Sequence, residues 1–123
     1  MVHGHLTPYN ILFDKNKNVV LADYYFLALR KKMIYGNEYI MWSPYSAPEV
    51  LGNDRVPKFE PYSDIYSLGV ILWEIFEGIE PFGGLQMGKL NEVVTTKKLR
   101  PKINEKYPHE IGDLINCCWS DDV

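Results

Sequence analysis

Residues 63–76, with the sequence SDIYSLGVILWEIF, decide the fold. Their apolar side chains recur every three or four positions, as they do on the buried face of an α-helix. Ser63 or Asp64 can cap the first turn, because a short oxygen-bearing side chain accepts from the free N–H groups there. Gly78 and Pro81 are typical of residues that end a helix. Apolar residues occupy the other faces too, so the sequence predicts a helix that is buried nearly all round.

Shorter elements flank this helix on both sides. Residues 11–13 and 19–22 are apolar runs rich in β-formers, and the turn-like sequence DKNKN between them predicts a β-hairpin. Residues 24–48 lack steady periodicity and predict a long loop, and loops of that length are usually functional. Residues 87–94 and 108–119 predict two further helices. The fold class that follows is α+β, mainly α.

Length and charge restrict the function. The chain has 123 residues, 46% of them hydrophobic, which fits one domain or part of one and argues against intrinsic disorder. A net charge of −3 argues against a nucleic-acid or membrane-surface partner. Adjacent Cys117 and Cys118 form no disulfide framework, and no run is apolar enough to predict a membrane span. We therefore expect a reducing, cytoplasmic location.

Several motifs occur in the order found in eukaryotic protein kinases. HGHLTPYN at residues 3–10 resembles the catalytic loop H-R-D-L-x-x-x-N, and APE at 47–49 matches the end of an activation segment. Asp23 follows the predicted hairpin, where the D-F-G motif of a kinase stands. Further matches to tyrosine-kinase-like and tyrosine kinases lie at residues 63–74, 80–82, 99–101 and 118–119. The chain therefore resembles the C-terminal lobe of this family over nearly its whole length.

The resemblance implies a partial kinase domain at residues 1–123, from the catalytic loop to the Cys-Trp helix. It implies a short β-hairpin, an activation segment and helices, with the N-lobe and the last helix expected outside this segment. Asn10 and Asp23 occupy the two positions that hold Mg²⁺ and, through it, ATP, and both carry the hard oxygen that Mg²⁺ prefers. ATP and Mg²⁺ are thus expected in a full-length protein, and no cofactor is expected for this chain alone.

The catalytic loop departs from the family pattern at the reacting centre. His5 stands where the family has its catalytic Asp, and a neutral imidazole supplies no negative charge beside the metal. Gly4 replaces the Arg that grips a phosphorylated activation loop, and Thr7 replaces a Lys that contacts the transferred phosphate. Tyr25 replaces the D-F-G glycine, whose backbone freedom a tyrosine lacks. These four departures predict impaired catalysis, and without an N-lobe to hold ATP no kinase activity is expected from this chain alone.

Three residues are expected to have structural roles. Taken alone, Asp64 is a helix-cap candidate, and Glu49 is a first-turn charge that favours the helix dipole. In the family, the Glu of A-P-E pairs with an Arg that follows the Cys-Trp motif, and this chain does not reach that Arg. Arg100 is a different position and is not assumed to substitute. A helix that precedes the catalytic loop in the family is also expected outside the chain, which would expose an apolar patch.

Three functions remain open at this point. The first is a pseudokinase lobe that acts in signalling by binding proteins, such as an N-lobe or an active kinase. The second is a fragment of an active, ATP-dependent Ser/Thr (or Tyr) protein kinase in which His5 is tolerated. The third is a non-functional truncated product.

Overall fold

The computed structural model describes residues 2–24, 43–52 and 58–121. These residues form a two-stranded antiparallel sheet and a larger helical part, in agreement with the predicted mainly α fold. The strands are β1 (Ile11–Phe13) and β2 (Val19–Leu21), and the α-helices are α1 (Pro48–Leu51), α2 (Pro61–Glu77), α3 (Met87–Asn91) and α4 (His109–Cys118). Short 3₁₀ turns lie at Pro8–Asn10 and Pro81–Gly84, and a π turn at Glu92–Thr96 follows α3.

The predicted β-hairpin is present. Ile11 pairs with Leu21 and Phe13 with Val19 across the two strands. The turn is closed by Asp14, whose carboxylate accepts hydrogen bonds from the backbone N–H groups of the residues two and four positions later. The Asn18 side-chain amide also donates to this carboxylate at 2.9 Å, and that bond, followed by the backbone bonds, lowers the pKa of the Asp14 carboxyl. The DKNKN sequence therefore forms the turn that its composition predicts.

Helix α2 begins two residues earlier than the sequence predicted. Pro61 occupies its first turn, where a missing N–H costs nothing and the fixed φ suits a helix. The Ser63 hydroxyl accepts from the Glu60 N–H at 3.1 Å, so Ser63 supports the helix start from its third position. The predicted end is confirmed, because Gly78 has φ 69° and donates its N–H to the Glu74 carbonyl at 2.7 Å.

The prediction that α2 is buried on all sides is wrong. One face lies in the core, which is formed by α2, α1 and α4 with the segments that join them. The other face is open: Ile65 is 49% exposed and Ile75 is 68% exposed. No element among the described residues covers that face. The sequence could not show this, because apolar composition does not tell which neighbours are present.

Helices α2 and α4 make the closest contact of the core. A Cβ atom placed on Gly69 of α2 would lie 2.6 Å from the Cβ of Cys118 in α4. Such a distance is shorter than van der Waals contact allows, so this crossing requires a glycine. The contact buries Val70, Ile71, Ile115 and Trp119.

The remaining predictions about secondary structure hold in part. The two later helices are present, although the first of them continues as the π turn and the second begins at His109. Within the described residues, no helix is long and apolar enough to cross a membrane. Most of the predicted loop at residues 24–48, including Tyr25, lies outside the residues that the structure describes.

Candidate active site

The predicted catalytic loop is held on helix α2 by a single carboxylate. Asp64 accepts a hydrogen bond from the His3 N–H at 2.7 Å with one oxygen and from the Gly4 N–H at 2.8 Å with the other. Gly4 has φ 73°, a left-handed conformation that glycine adopts without strain. Asp64 is thus an anchor for the loop as well as a first-turn residue of α2, and the anchor could not be read from helix spacing.

The ring of His3 joins the loop to the end of the hairpin. It is 5% exposed, its Nε2 lies 2.7 Å from the Ala22 carbonyl oxygen, and its Nδ1 accepts from the His5 N–H at 3.3 Å. These partners assign the proton to Nε2 and a neutral ring. The ring also meets Tyr24 edge to face, with centroids 6.2 Å apart. Sequence reasoning quoted His3 only as part of a motif and did not give it this role.

Asn10 and Asp23 come to the same end of the hairpin. The side-chain amide of Asn10 donates to the His5 carbonyl at 2.7 Å, and the Asn10 carbonyl accepts from the Ala22 N–H at 2.8 Å. Asp23 directly follows Ala22, has φ 61° and is exposed. No described residue forms a hydrogen bond or ion pair with the Asp23 carboxylate, and the same holds for the Asn10 side-chain oxygen.

Asn10 and Asp23 each carry an oxygen of the kind that Mg²⁺ prefers. Mg²⁺ is commonly bound through one or two protein oxygens, with water and substrate phosphates as its other ligands. Asn10 and Asp23 offer such oxygens. The described residues contain no group of three or more His, Cys, Asp or Glu side chains that could hold a metal by themselves.

His5 lies half-buried on the wall of a pocket of about 360 Å³. Its main-chain N–H and carbonyl are both fixed by the hydrogen bonds given above. Two acidic side chains line the same pocket, Glu74 and Glu80. Tyr45 donates its hydroxyl to Glu74 at 2.6 Å, and burial, followed by this hydrogen bond, raises the pKa of Tyr45 above its usual value. The sequence did not single out Tyr45 or Glu74, because 29 positions separate them.

Glu49 and Arg100 have different hydrogen-bond partners. The Glu49 carboxylate accepts from the Ser63 hydroxyl at 2.5 Å. Arg100 donates to the Trp119 carbonyl at 3.1 Å and to the Asp121 carboxylate at 2.8 Å, and its guanidinium lies 5.1 Å from the centre of the Tyr66 ring. No ion pair joins Glu49 to Arg100 in the described part of the chain.

A second pocket, of about 530 Å³, lies between Glu49 and the end of α4. Tyr66 lines it, and the Tyr66 hydroxyl is buried with no hydrogen-bond partner among the described residues. Burial raises the pKa of Tyr66 to about 12, although the nearby Arg100 opposes the shift.

Comparison with known proteins identifies the family. The family described as protein tyrosine and serine/threonine kinase matches residues 1–123. A probable serine/threonine-protein kinase of Dictyostelium discoideum is 34% identical over 99% of this chain and 13% of its own length. The dual specificity protein kinase shkC of the same organism is 34% identical over 96% of this chain and 24% of its own length.

The human mixed lineage kinase domain-like protein is 28% identical over 98% of the chain and 26% of its own length. The chain spans between 7% and 26% of the length of the curated relatives it matches.

Proposed function

Because this chain belongs to the protein tyrosine and serine/threonine kinase family, we propose that it is a kinase-like C-terminal lobe with impaired catalysis that acts in signalling by binding other proteins. The tyrosine-kinase-like group, a cytoplasmic location and protein partners such as an N-lobe or an active kinase are parts of the same proposal.

The observation that carries the proposal is His5 in an otherwise well-held loop. Asp64 fixes the backbone before this residue, and Asn10 fixes its carbonyl. His5 stands where the resemblance puts the catalytic base. Hydrogen bonds hold its main-chain N–H and carbonyl, and its side chain has no carboxylate. A positioned general base contributes about 10²- to 10⁴-fold to rate. The imidazole can accept a proton near neutral pH, but it cannot add negative charge beside a metal.

Nucleotide binding is a separate part of the proposal. When bound, ATP would supply the phosphoryl group, and Mg²⁺ would supply the positive charge that neutralises the phosphate oxygens. Asn10 and Asp23 would hold the metal in a longer protein that includes an N-lobe. Their oxygens have no described protein partner, which leaves them open to a metal. Since binding and base catalysis depend on different residues, the first can persist when the second is lost.

A phosphoryl-transfer assay tests the proposal. A fusion that places a kinase N-lobe before residues 1–123 is incubated with labelled ATP, Mg²⁺ and generic protein substrates, beside its His5→Asp variant. We expect the wild-type rate to be at least about 100-fold below that of His5→Asp, since the carboxylate base is restored. Rapid turnover by the wild type that disappears in His5→Ala would refute the proposal.

That refuting result would support the second candidate, a fragment of an active Ser/Thr or Tyr kinase. The observation that favours this candidate is the intact support of the loop by Asp64 and Asn10. In that case the His5 imidazole would be the working base, and His5→Ala would lose the turnover.

A further inference from the structure

The pocket between Glu49 and the end of α4 contains both cysteines of the chain. It has a volume of about 530 Å³, and Cys117 and Cys118 lie side by side on its wall. Cys117 is exposed, and Cys118 is half-buried. The proposed function uses neither thiol. A thiol on the wall of a cavity can bond covalently to a small molecule that the cavity accepts, so the chemistry of the two thiols is a separate question.

The two thiols differ in their surroundings. A Cβ atom on Gly69 of α2 would lie 2.6 Å from the Cβ of Cys118, so the Cys118 side chain is held against α2. Burial, followed by the neighbouring Cys117, raises the pKa of the Cys118 thiol. Because the thiolate is the nucleophile in disulfide exchange, Cys118 is the less reactive of the pair. Exchange with a small disulfide therefore takes place at Cys117.

A modified Cys117 is not released by its neighbour while α4 is intact. Both cysteines are consecutive residues of that helix. Consecutive Cα atoms are about 3.8 Å apart, whereas the Cα atoms of a disulfide are usually about 4.4–6.8 Å apart. Cys118 therefore cannot displace a group from Cys117 by pairing with it. A mixed disulfide at Cys117 persists until an external thiol reduces it.

The wall of this pocket carries a buried hydroxyl and charges of both signs. Tyr66 is 4% exposed, and its hydroxyl has no hydrogen-bond partner among the described residues. A ligand group that bonds to this hydroxyl removes an unfavourable buried polar atom. The Lys98 side chain is 65% exposed and lies 3.5 Å from Asp121, an ion pair that contributes little and leaves Lys98 able to pair with a ligand carboxylate. Glu49 adds a negative charge that suits an ammonium group.

We propose that Cys117 is a redox-dependent modification site that forms a mixed disulfide with glutathione. Besides its thiol, glutathione carries an ammonium group, two carboxylates and two amides. These groups match a wall that offers the Glu49 carboxylate, the Lys98 ammonium and the Tyr66 hydroxyl. The proposal does not depend on the proposed function, because it involves neither a nucleotide nor the catalytic loop.

The co-reactant of the step is glutathione disulfide. The Cys117 thiol loses its proton, and the thiolate attacks one sulfur of glutathione disulfide. A new S–S bond joins Cys117 to one glutathione while the original S–S bond breaks. The leaving glutathione thiolate takes up a proton and departs as reduced glutathione. Cys117 is oxidised and half of the glutathione disulfide is reduced, so the adduct accumulates when the glutathione pool becomes oxidised.

The test measures the equilibrium between the chain and mixtures of reduced and oxidised glutathione. The chain is incubated at low micromolar concentration at neutral pH and quenched with acid. Intact mass then counts the bound glutathione, and peptide mapping locates it. We expect one glutathione on Cys117. We expect its equilibrium constant to be at least about fivefold above that of the same chain unfolded in urea, as for one added hydrogen bond.

Variants separate the pocket from the thiol. Cys117→Ser is expected to abolish the adduct and Cys118→Ser to retain it. Tyr66→Phe and Lys98→Gln are each expected to lower the equilibrium constant about two- to fivefold. Lys106→Gln removes the same charge from an exposed residue outside the pocket wall and should leave the constant unchanged. Circular dichroism of each variant checks its folding.

A second probe tests the carboxylate contact. The disulfide of glutathione diethyl ester has no carboxylate charges, so its equilibrium constant should be the same in the wild type and in Lys98→Gln. An ester whose constant falls in Lys98→Gln as much as that of glutathione would contradict the pairing with Lys98.

Other results would overturn the proposal as a whole. Equal constants for the folded and the urea-unfolded chain would show an accessible thiol only, without a site. An adduct that maps to Cys118, or a disulfide between the two cysteines in the folded chain, would contradict the assignment to Cys117. Since ATP and phosphoryl transfer take no part in this experiment, its failure would leave the proposed function to its own assay.

Discussion

The Asp64 carboxylate connects the catalytic loop to a helix that lies 60 positions further along the chain. Both of its oxygens accept backbone N–H groups, one from His3 and one from Gly4. Bonds to a charged acceptor are stronger than neutral ones, and here they also set the start of the segment that carries His5. A single side chain thereby fixes the backbone immediately before His5.

Asp64→Asn is expected to loosen this attachment. The amide keeps one acceptor and turns its NH₂ group towards the other backbone N–H, so the free energy of unfolding should fall by about 1–3 kcal/mol. Urea unfolding measures the change, and the amide resonances of His3 and Gly4 report its location. Asp113→Asn is the control, because its bond to His109 is exposed and worth less than about 0.5 kcal/mol. Similar losses in the two variants would contradict the anchor role.

Tyr66 has a buried hydroxyl without a described partner, and its ring lies beside the guanidinium of Arg100. Tyr66→Phe keeps the ring and removes the uncompensated hydroxyl. We expect the free energy of unfolding at pH 7 to rise by about 1 kcal/mol. An unchanged or lower value would show that the hydroxyl has a stabilising partner.

The same substitution tests the titration of Tyr66. Burial raises the folded-state pKa of Tyr66 to about 12, above the ordinary tyrosine pKa of about 10. Below pH 10 the phenol is protonated in both states, and its contribution to stability is fully present. As pH rises from 10 towards 12, the unfolded state loses its proton first, so stability falls. Unfolding curves at pH 8 and pH 10.5 should show a smaller fall for Tyr66→Phe than for the wild type. Equal falls would contradict the assignment.

Among the elements, the crossing of α2 and α4 depends on one missing side chain. Gly69→Ala would place a methyl group 2.6 Å from the Cys118 Cβ, and the two helices would have to separate. Overpacking of this kind costs about 1–3 kcal/mol, more than the helix propensity of alanine returns. Thermal unfolding should show the loss as a lower Tm.

Gly88→Ala is the matched control for that substitution. Gly88 lies in α3, and a Cβ atom there would meet nothing within 4 Å. Alanine should therefore leave stability unchanged or raise it by up to about 1 kcal/mol through helix propensity. If the two variants behave alike, the close approach of α2 and α4 does not limit stability.

Local sequence patterns predicted where the helices and strands lie, whereas long-range contacts determine how they pack and which side chains pair. The hairpin follows from the composition of its turn, and the end of α2 follows from Gly78. Both signals lie within a few residues of the structure they predict. The pairing of Tyr45 with Glu74 joins distant segments, and no spacing rule points to it. The open face of α2 was mispredicted for a similar reason, since burial depends on which neighbours pack against a helix.

For the molecule as a whole, the consequence of that open face is an apolar surface. Ile65, Leu68, Ile75 and Phe76 of α2 are between 36% and 68% exposed. Leu114 of α4 is 49% exposed as well. Contiguous apolar surface on a soluble protein commonly marks a place where another surface binds. The polypeptide of residues 1–123 alone therefore has a reason to associate with itself.

We expect this polypeptide to form concentration-dependent oligomers in sedimentation velocity between about 10 and 200 μM, since burial of apolar area drives association. The double variant Leu68→Lys, Ile75→Lys adds charge to the open face of α2 and should shift the distribution to monomer. The control Leu99→Lys changes a residue that is 52% exposed outside that helix and should leave association unchanged. A wild-type chain that stays monomeric over this range and unfolds in one sharp transition would show that the open face of α2 is compatible with a self-sufficient fold.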